Sequence, residues 1–197
     1  MENEKEEKME ITTEWLQKEE ANSEDIFWFK NQKETDGLKI VKKLIDEKQL
    51  NWANWLIVRI MSPAQCMSYA IFAAEQVYYI YEKNYPGLFS LAQKGITIAK
   101  KCFDNPNKEN IEAADKMERK INNTIFSINP PAPVAYAVTL IAEVINTANV
   151  PTVAAYAADN ASVAYAEKNS IYHQMVDYLT MKLKIINYGI SLLQKGA

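Results

Sequence analysis

Apolar residues recur along this chain at spacings of three and four, and no stretch alternates residue by residue between turn signals. That periodicity predicts helices throughout. A charged start from Met1 to about Glu10 is expected to fray. Ile11 to Ala21 then carries Trp15 and Leu16, with Thr12 or Thr13 available as an N-cap. Ile26, Phe27, Trp28 and Phe29 form an aromatic knot behind Asn22, Ser23, Glu24 and Asp25, which predicts a helix start near Ser23. The knot is expected to anchor the acidic leader to the rest of the chain. Asp36 caps a predicted helix from Gly37 to Lys48, with Leu38, Val41, Leu44 and Ile45 as its buried stripe and Lys39, Lys42 and Lys43 outside it.

The central stretch, Asn51 to Pro86, holds two of the four tryptophans. Trp52, Trp55, Leu56 and Ile60 share one face of a short helix. Ser62 and Pro63 then form a cap followed by proline at the first helical position, where its missing N–H is harmless. The helix they open is apolar on several sides and is expected to run centrally to about Lys83, stopped by Tyr85-Pro86-Gly87. Predicted helices follow from Leu88 to Phe103 and from Asn107 to around Ile125, separated by Asp104-Asn105-Pro106. Asn129-Pro130-Pro131-Ala132-Pro133 reads as a hinge. Residues 132–166 are rich in alanine, with Tyr136, Tyr156 and Tyr165 spaced through them and Pro151 starting the second of two helices. Small faces of this kind let helix axes approach closely. The last predicted helix, Ser170 to Gln194, repeats Ile171, Met175, Tyr178, Leu179, Ile186, Ile190 and Leu193. That seam either closes the bundle or serves a second copy of the chain, making a homo-oligomer through the C-terminal helix.

Composition sharpens the fold class. Five glycines and seven prolines in 197 residues leave few turns, and the abundant Ala, Leu, Lys and Glu favour helix. The expectation is an all-α bundle of about eight to ten helices, either single or built as two packed halves. Its parts would be an acidic, partly helical segment over 1–35, a helical half over 36–129, and an Ala/Tyr-rich helical half over 130–197.

Charge adds an asymmetry. Residues 1–36 hold twelve Asp or Glu and five Lys, a net −7, whereas the remainder holds 13 acidic and 17 basic residues, a net +4. Such a leader is a solvated helix face, a tail, or a surface that attracts a basic protein. No Lys/Arg stripe is interleaved with stacking aromatics, so nucleic acid is not an expected partner. No apolar run is long enough to span a bilayer and no secretory-type leader is evident, so no membrane role and a cytoplasmic location are expected. Cys66 and Cys102 read as small buried hydrophobes, or as a disulfide if their helices meet.

A catalytic constellation is missing. His173 is the only histidine, which rules out a metal site with two imidazoles from one chain. Glycine-rich phosphate loops and nucleophile-elbow spacings are absent. No cofactor, metal or catalytic residue is expected, and the chain reads as a binder. Two charges stand out: Arg59, following Trp55-Leu56-Ile57-Val58, and Glu75, between Ala74 and Gln76 in the most apolar helix. They either pair, with each other or with Asp36, Glu82 or tyrosine hydroxyls, or line a pocket floored by Trp52 and Trp55. Tyr69, Tyr78, Tyr79, Tyr81 and Tyr85 recur along the same helix and serve either as core or as interface anchors.

The run Leu44 to Pro86, with Asn51, Trp52, Ala53, Trp55, Leu56 and Arg59 followed by Tyr69, Ala70, Ala74, Glu75, Tyr85 and Pro86, resembles a family of predicted bacterial immunity proteins. These are small all-α proteins of polymorphic-toxin systems, with relatives in phages and prophages. The resemblance covers about a quarter of the chain. It departs at Asn51, where aspartate is usual, and after Pro86, where Gly87-Leu88-Phe89-Ser90 replaces the family's usual Asp-x-Arg-Pro. It implies stoichiometric neutralisation of a cognate toxin or effector, without turnover. The binding candidates are then Trp52, Trp55, Arg59, Tyr69, Glu75, Tyr78, Glu82 and Tyr85.

The alternative is a phage-encoded counter-defence protein that sequesters a host defence protein or a small signalling molecule through the same residues. An enzyme using Glu75 and Glu82, seven residues apart on one helix, is the third reading.

Overall fold

A computed structural model describes residues 9–76, 86–128, 150–167 and 174–195. These residues form nine helices and no strands, an all-α bundle. In chain order they are α1 Thr13–Lys18, α2 Ser23–Lys30, α3 Gly37–Asp46, α4 Leu50–Arg59, α5 Pro63–Glu75, α6 Pro86–Asp104, α7 Lys108–Ile128, α8 Val150–Glu167 and α9 Gln174–Lys195.

Local chemistry sets the helix starts. Thr12 Oγ1 accepts from the Trp15 amide at 3.1 Å, Asn22 Oδ1 from Asp25 at 2.8 Å, and Asp36 Oδ1 from Lys39 at 3.1 Å. Each bond satisfies an orphan N–H and contributes about 1 kcal/mol. Ser62 and Gln65 form a reciprocal capping box ahead of Pro63. Asn107 accepts from the Asn110 amide at 2.9 Å and opens α7 behind the Asn105-Pro106 break. The expected extension of α5 through Tyr78, Tyr79, Tyr81, Glu82 and Tyr85 lies outside the described residues, as do the hinge at 129–133, Tyr136, Ile171 and His173.

The leader is part of the body from residue 9 onward. The Ile11 amide donates to the Thr35 carbonyl at 2.8 Å and the Gly37 amide to the Met9 carbonyl at 2.9 Å, while Ile11 and Leu16 are buried. The aromatic knot anchors the leader in part: Phe29 is buried and Trp28 packs on α4, whereas Phe27 is exposed. On α3 the buried stripe is rotated from the expected one. Gly37, Ile40, Val41 and Leu44 face inward, while Leu38 and Ile45 are half-buried. On that side Gly37 lies against Met9 and Ile60.

Two helices run through the centre. Leu50, Trp52, Ala53, Asn54, Leu56, Ile57 and Val58 of α4 are buried, and so are Cys66, Tyr69, Ala70, Ile71, Ala73 and Ala74 of α5. Against them lies α8, whose Ala154, Ala157, Ala158, Ala161 and Ala164 are buried, so small side chains do bring the axes together. Helix α9 completes the wall with Met181, Lys182, Ile185, Ile186 and Gly189. At Gly189 an added Cβ would stand 2.8 Å from both Met61 Cε and Tyr69 Cε2. The C-terminal seam is therefore core only in part: Ile186 is buried, whereas Met175 and Leu179 are exposed. One hydrophobic cluster joins residues from both sides of residue 130. No helix among the described residues is long and apolar enough to cross a membrane.

Candidate functional site

Trp52 and Trp55 are three residues apart on α4, so their side chains leave the helix about 60° from one another. Each meets a different tryptophan. Trp52 lies edge-on to Trp28 of α2 with ring centroids 4.7 Å apart, and Trp55 edge-on to Trp15 of α1 at 6.5 Å. Such pairs contribute about 0.5–1.5 kcal/mol beyond burial. The inner pair is structural. Trp28 Nε1 donates to Glu47 at 2.8 Å, whereas the buried Trp52 Nε1 has no acceptor among the described residues, so Trp52 is held there by its shape.

The outer pair reaches the surface. Arg59, four residues beyond Trp55, lays its guanidinium over the Trp55 ring, 4.0 Å from the centroid. Its Nη1 donates to the Trp55 carbonyl at 3.1 Å, and its Nε lies 3.7 Å from Glu19. Burial lowers the pKa of Arg59, and the charges of Glu19 and Glu20 oppose that shift. Tyr156 of α8 stands within electrostatic reach of the guanidinium and is 56% exposed. Trp15, Trp55, Arg59 and Tyr156 thus make a surface cluster bordered by Glu19. Sequence reasoning did not place Trp15 in this cluster. Tyr156 was visible only as one tyrosine in an alanine-rich stretch.

Arg59 and Glu75 do not pair with each other. They occupy the ends of consecutive helices joined by a short turn, so the length of α5, about 18 Å, separates them. Glu75 instead pairs with Lys100 of α6 at 2.5 Å. It stands between two clefts. One of ≈ 300 Å³ is lined by Glu75, Gln76, Tyr165, Thr180, Met181 and Lys184. The other, of ≈ 260 Å³, is walled by Phe72 and Tyr188, stacked 3.9 Å apart, with Lys100 and Phe103. Burial and the Glu75 charge raise the pKa of Tyr188, against Lys100. Trp52, Trp55 and Arg59 line neither cleft. Tyr78, Glu82 and Tyr85 lie outside the described residues.

Tyr69 is buried and heads a polar network that sequence reading missed. Its hydroxyl donates to Asn54 Oδ1 at 2.7 Å, and Asn54 Nδ2 donates to the Ala155 carbonyl at 3.1 Å and to Asp159 at 3.0 Å. Asp159 pairs at 2.6 Å with Lys182, which also donates to Tyr178 at 2.7 Å and to Asn51. Three acceptors meet the three protons of an ammonium whose side chain is 1% exposed. The signal available in the sequence was a lysine on the apolar face of α9, between Met181 and Ile185. Asn51, the departure from the resembled pattern, is one of its acceptors.

This network interlocks α4, α5, α8 and α9, and every donor of Lys182 is used. The thiols offer no nucleophile: both cysteines are free and buried, and burial pushes Cys66 up to about 12. Among the described residues no group of three His, Cys, Asp or Glu side chains could hold a metal ion. No family model, curated protein or solved structure matches the chain.

Proposed function

We propose that the protein is an immunity-like binder that neutralises a cognate toxin or effector by occupying its surface, without turnover. The observation that carries this reading is the cluster of Trp15, Trp55, Arg59 and Tyr156, held on a rigid core with Tyr156 projecting into solvent. Trp, Tyr and Arg are the residue types that dominate binding energy at protein interfaces. Fixed rotamers reduce the entropy lost on association, and here a T-shaped indole pair and a stacked guanidinium fix them. The resemblance to immunity proteins supports the same reading. Of its matched positions, Trp52, Ala53, Leu56, Tyr69, Ala70 and Ala74 are buried and explain the fold, while Trp55 and Arg59 reach the edge of the site.

The test is coexpression with each protein encoded beside this gene. The expected result is relief of toxicity by one of them and a complex of fixed stoichiometry on gel filtration. Absence of both for every neighbour refutes the reading.

A second reading, sequestration of a small signalling molecule by a counter-defence protein, is supported by the two clefts beside Glu75. Native mass spectrometry separates the two readings: sequestration predicts a bound mass of a few hundred daltons that Glu75→Ala abolishes.

A further inference from the structure

We infer that the Trp15, Trp55, Arg59 and Tyr156 surface receives a protein partner through a lysine- and arginine-rich face. The inference rests on the binding function proposed above and names the chemistry of the occupant.

The aromatic and arginine side chains supply the anchor, and the rim supplies the sign. Glu19, at the end of α1, touches the anchor directly through Arg59, and the charge of Glu20 also acts on that guanidinium. Glu14, Glu20 and Glu24 are exposed along α1, the turn after it and the start of α2, and none forms an ion pair among the described residues. Arg59 offsets one charge of this rim, with its Nε 3.7 Å from Glu19, and the exposed Glu14, Glu20 and Glu24 leave the rim with a net negative charge. Like charges crowd here: besides burial, Glu24 helps to raise the pKa of Asp25.

The described part of the leader, residues 9–36, holds eight Asp or Glu and three Lys, a net −5. A negative pole set beside a rigid aromatic anchor attracts a cationic surface. It repels the phosphates of nucleic acids and of anionic membranes alike. A basic face fits this arrangement, and screening by salt follows from it.

The probes are the purified products of the genes adjoining this one, inactivated where toxic. Their association with the full chain is measured by biolayer interferometry at 50 and 500 mM NaCl. The triple variant Glu14→Lys, Glu20→Lys, Glu24→Lys replaces three exposed charges. For the product that binds, it is expected to lower the association rate constant about 10- to 100-fold at 50 mM NaCl, with most of that difference gone at 500 mM. Tyr156→Ala, at an exposed position, is expected to raise the dissociation rate about tenfold or more. Circular-dichroism melts confirm that each variant folds.

If a product binds and neither change has an effect, the inference is overturned while the proposed function stands. If no product binds, both fall. Tighter binding to a DNA oligonucleotide or to phosphatidylglycerol vesicles than to any of the proteins also overturns the inference.

Discussion

Lys182 and Asp159 form an ion pair with unequal burial, and that inequality predicts unequal consequences of breaking it from either side. The Lys182 side chain is 1% exposed and the Asp159 side chain 42%. Replacing Asp159 with Asn removes the one anionic partner, among the described residues, of an ammonium that water cannot reach, leaving the neutral acceptors Asn51 and Tyr178. Stranding a buried charge costs about 3–5 kcal/mol. Water on the Asp159 side screens part of the attraction, which places the expected loss near the lower end, about 3 kcal/mol.

Replacing Lys182 with Met leaves a carboxylate that water already reaches and that keeps the Asn54 amide at 3.0 Å. The thioether fills most of the vacated volume, so the expected loss is about 1 kcal/mol or less. The double variant has neither charge and should also lose about 1 kcal/mol, roughly 3 kcal/mol short of the sum of the single losses. Urea unfolding followed at 222 nm, with one slope for all variants, gives these differences from the midpoints. In thermal melts Asp159→Asn should lower Tm by about 6–12 °C and Lys182→Met by no more than about 4 °C, at about 2–4 °C per kcal/mol for a chain of this size. Equal losses from the two single variants, or a double variant that is simply additive, would refute the argument from burial.

Two further expectations follow from the packing. Gly189→Ala places a methyl within 2.8–2.9 Å of Met61, Tyr69 and Ile57 and should cost about 1–3 kcal/mol. Gly95→Ala, which meets only the side-chain tip of Ile121 at 3.2 Å, should cost nothing or gain about 0.5–1 kcal/mol from helix propensity; urea midpoints compare the pair, and equal losses contradict the close approach of α9. Burial raises the Cys66 thiol from 9.0 to about 12 and holds the Tyr69 phenol well above 10.0. A raised folded-state pKa stabilises the fold fully below the unfolded value and loses that stabilisation as pH climbs toward the folded value. Stability should therefore hold up to about pH 9 and fall between 9 and 12, with Cys66→Ala flattening the first part of the decline in a pH series of urea melts.

The caps at Thr12, Asn22, Asp36 and Ser62 were legible because each depends on atoms within three residues of one another. The alanine face of α8 was legible for a related reason: composition alone announces a close approach. The stripe on α3 was read correctly at Val41 and Leu44 but not at Leu38 and Ile45, since a single helix cannot show that Met9 and Ile60 lie against Gly37. The site divided along the same line. Trp55 and Arg59 stood out as large and charged residues in an apolar run, yet the notion that they shared a pocket with Trp52 and Glu75 did not survive the geometry. Trp52 turns to Trp28, and Glu75 lies at the far end of α5. Lys182 was passed over because its three acceptors sit on α4, α8 and one turn back on α9.

By itself, then, the sequence determined an all-α chain, most helix starts, an acidic excess in the first 36 residues and the unusual standing of Trp55 and Arg59 in an apolar run. Periodicity, capping and charge are short-range or additive properties, so they survive without coordinates. Which tryptophan meets which, that Arg59 answers to Glu19, and that a buried lysine ties three helices together were decided only by the tertiary structure. Those contacts join residues as far as 131 positions apart, and their energies arise from burial and distance, quantities that exist only once the helices have packed.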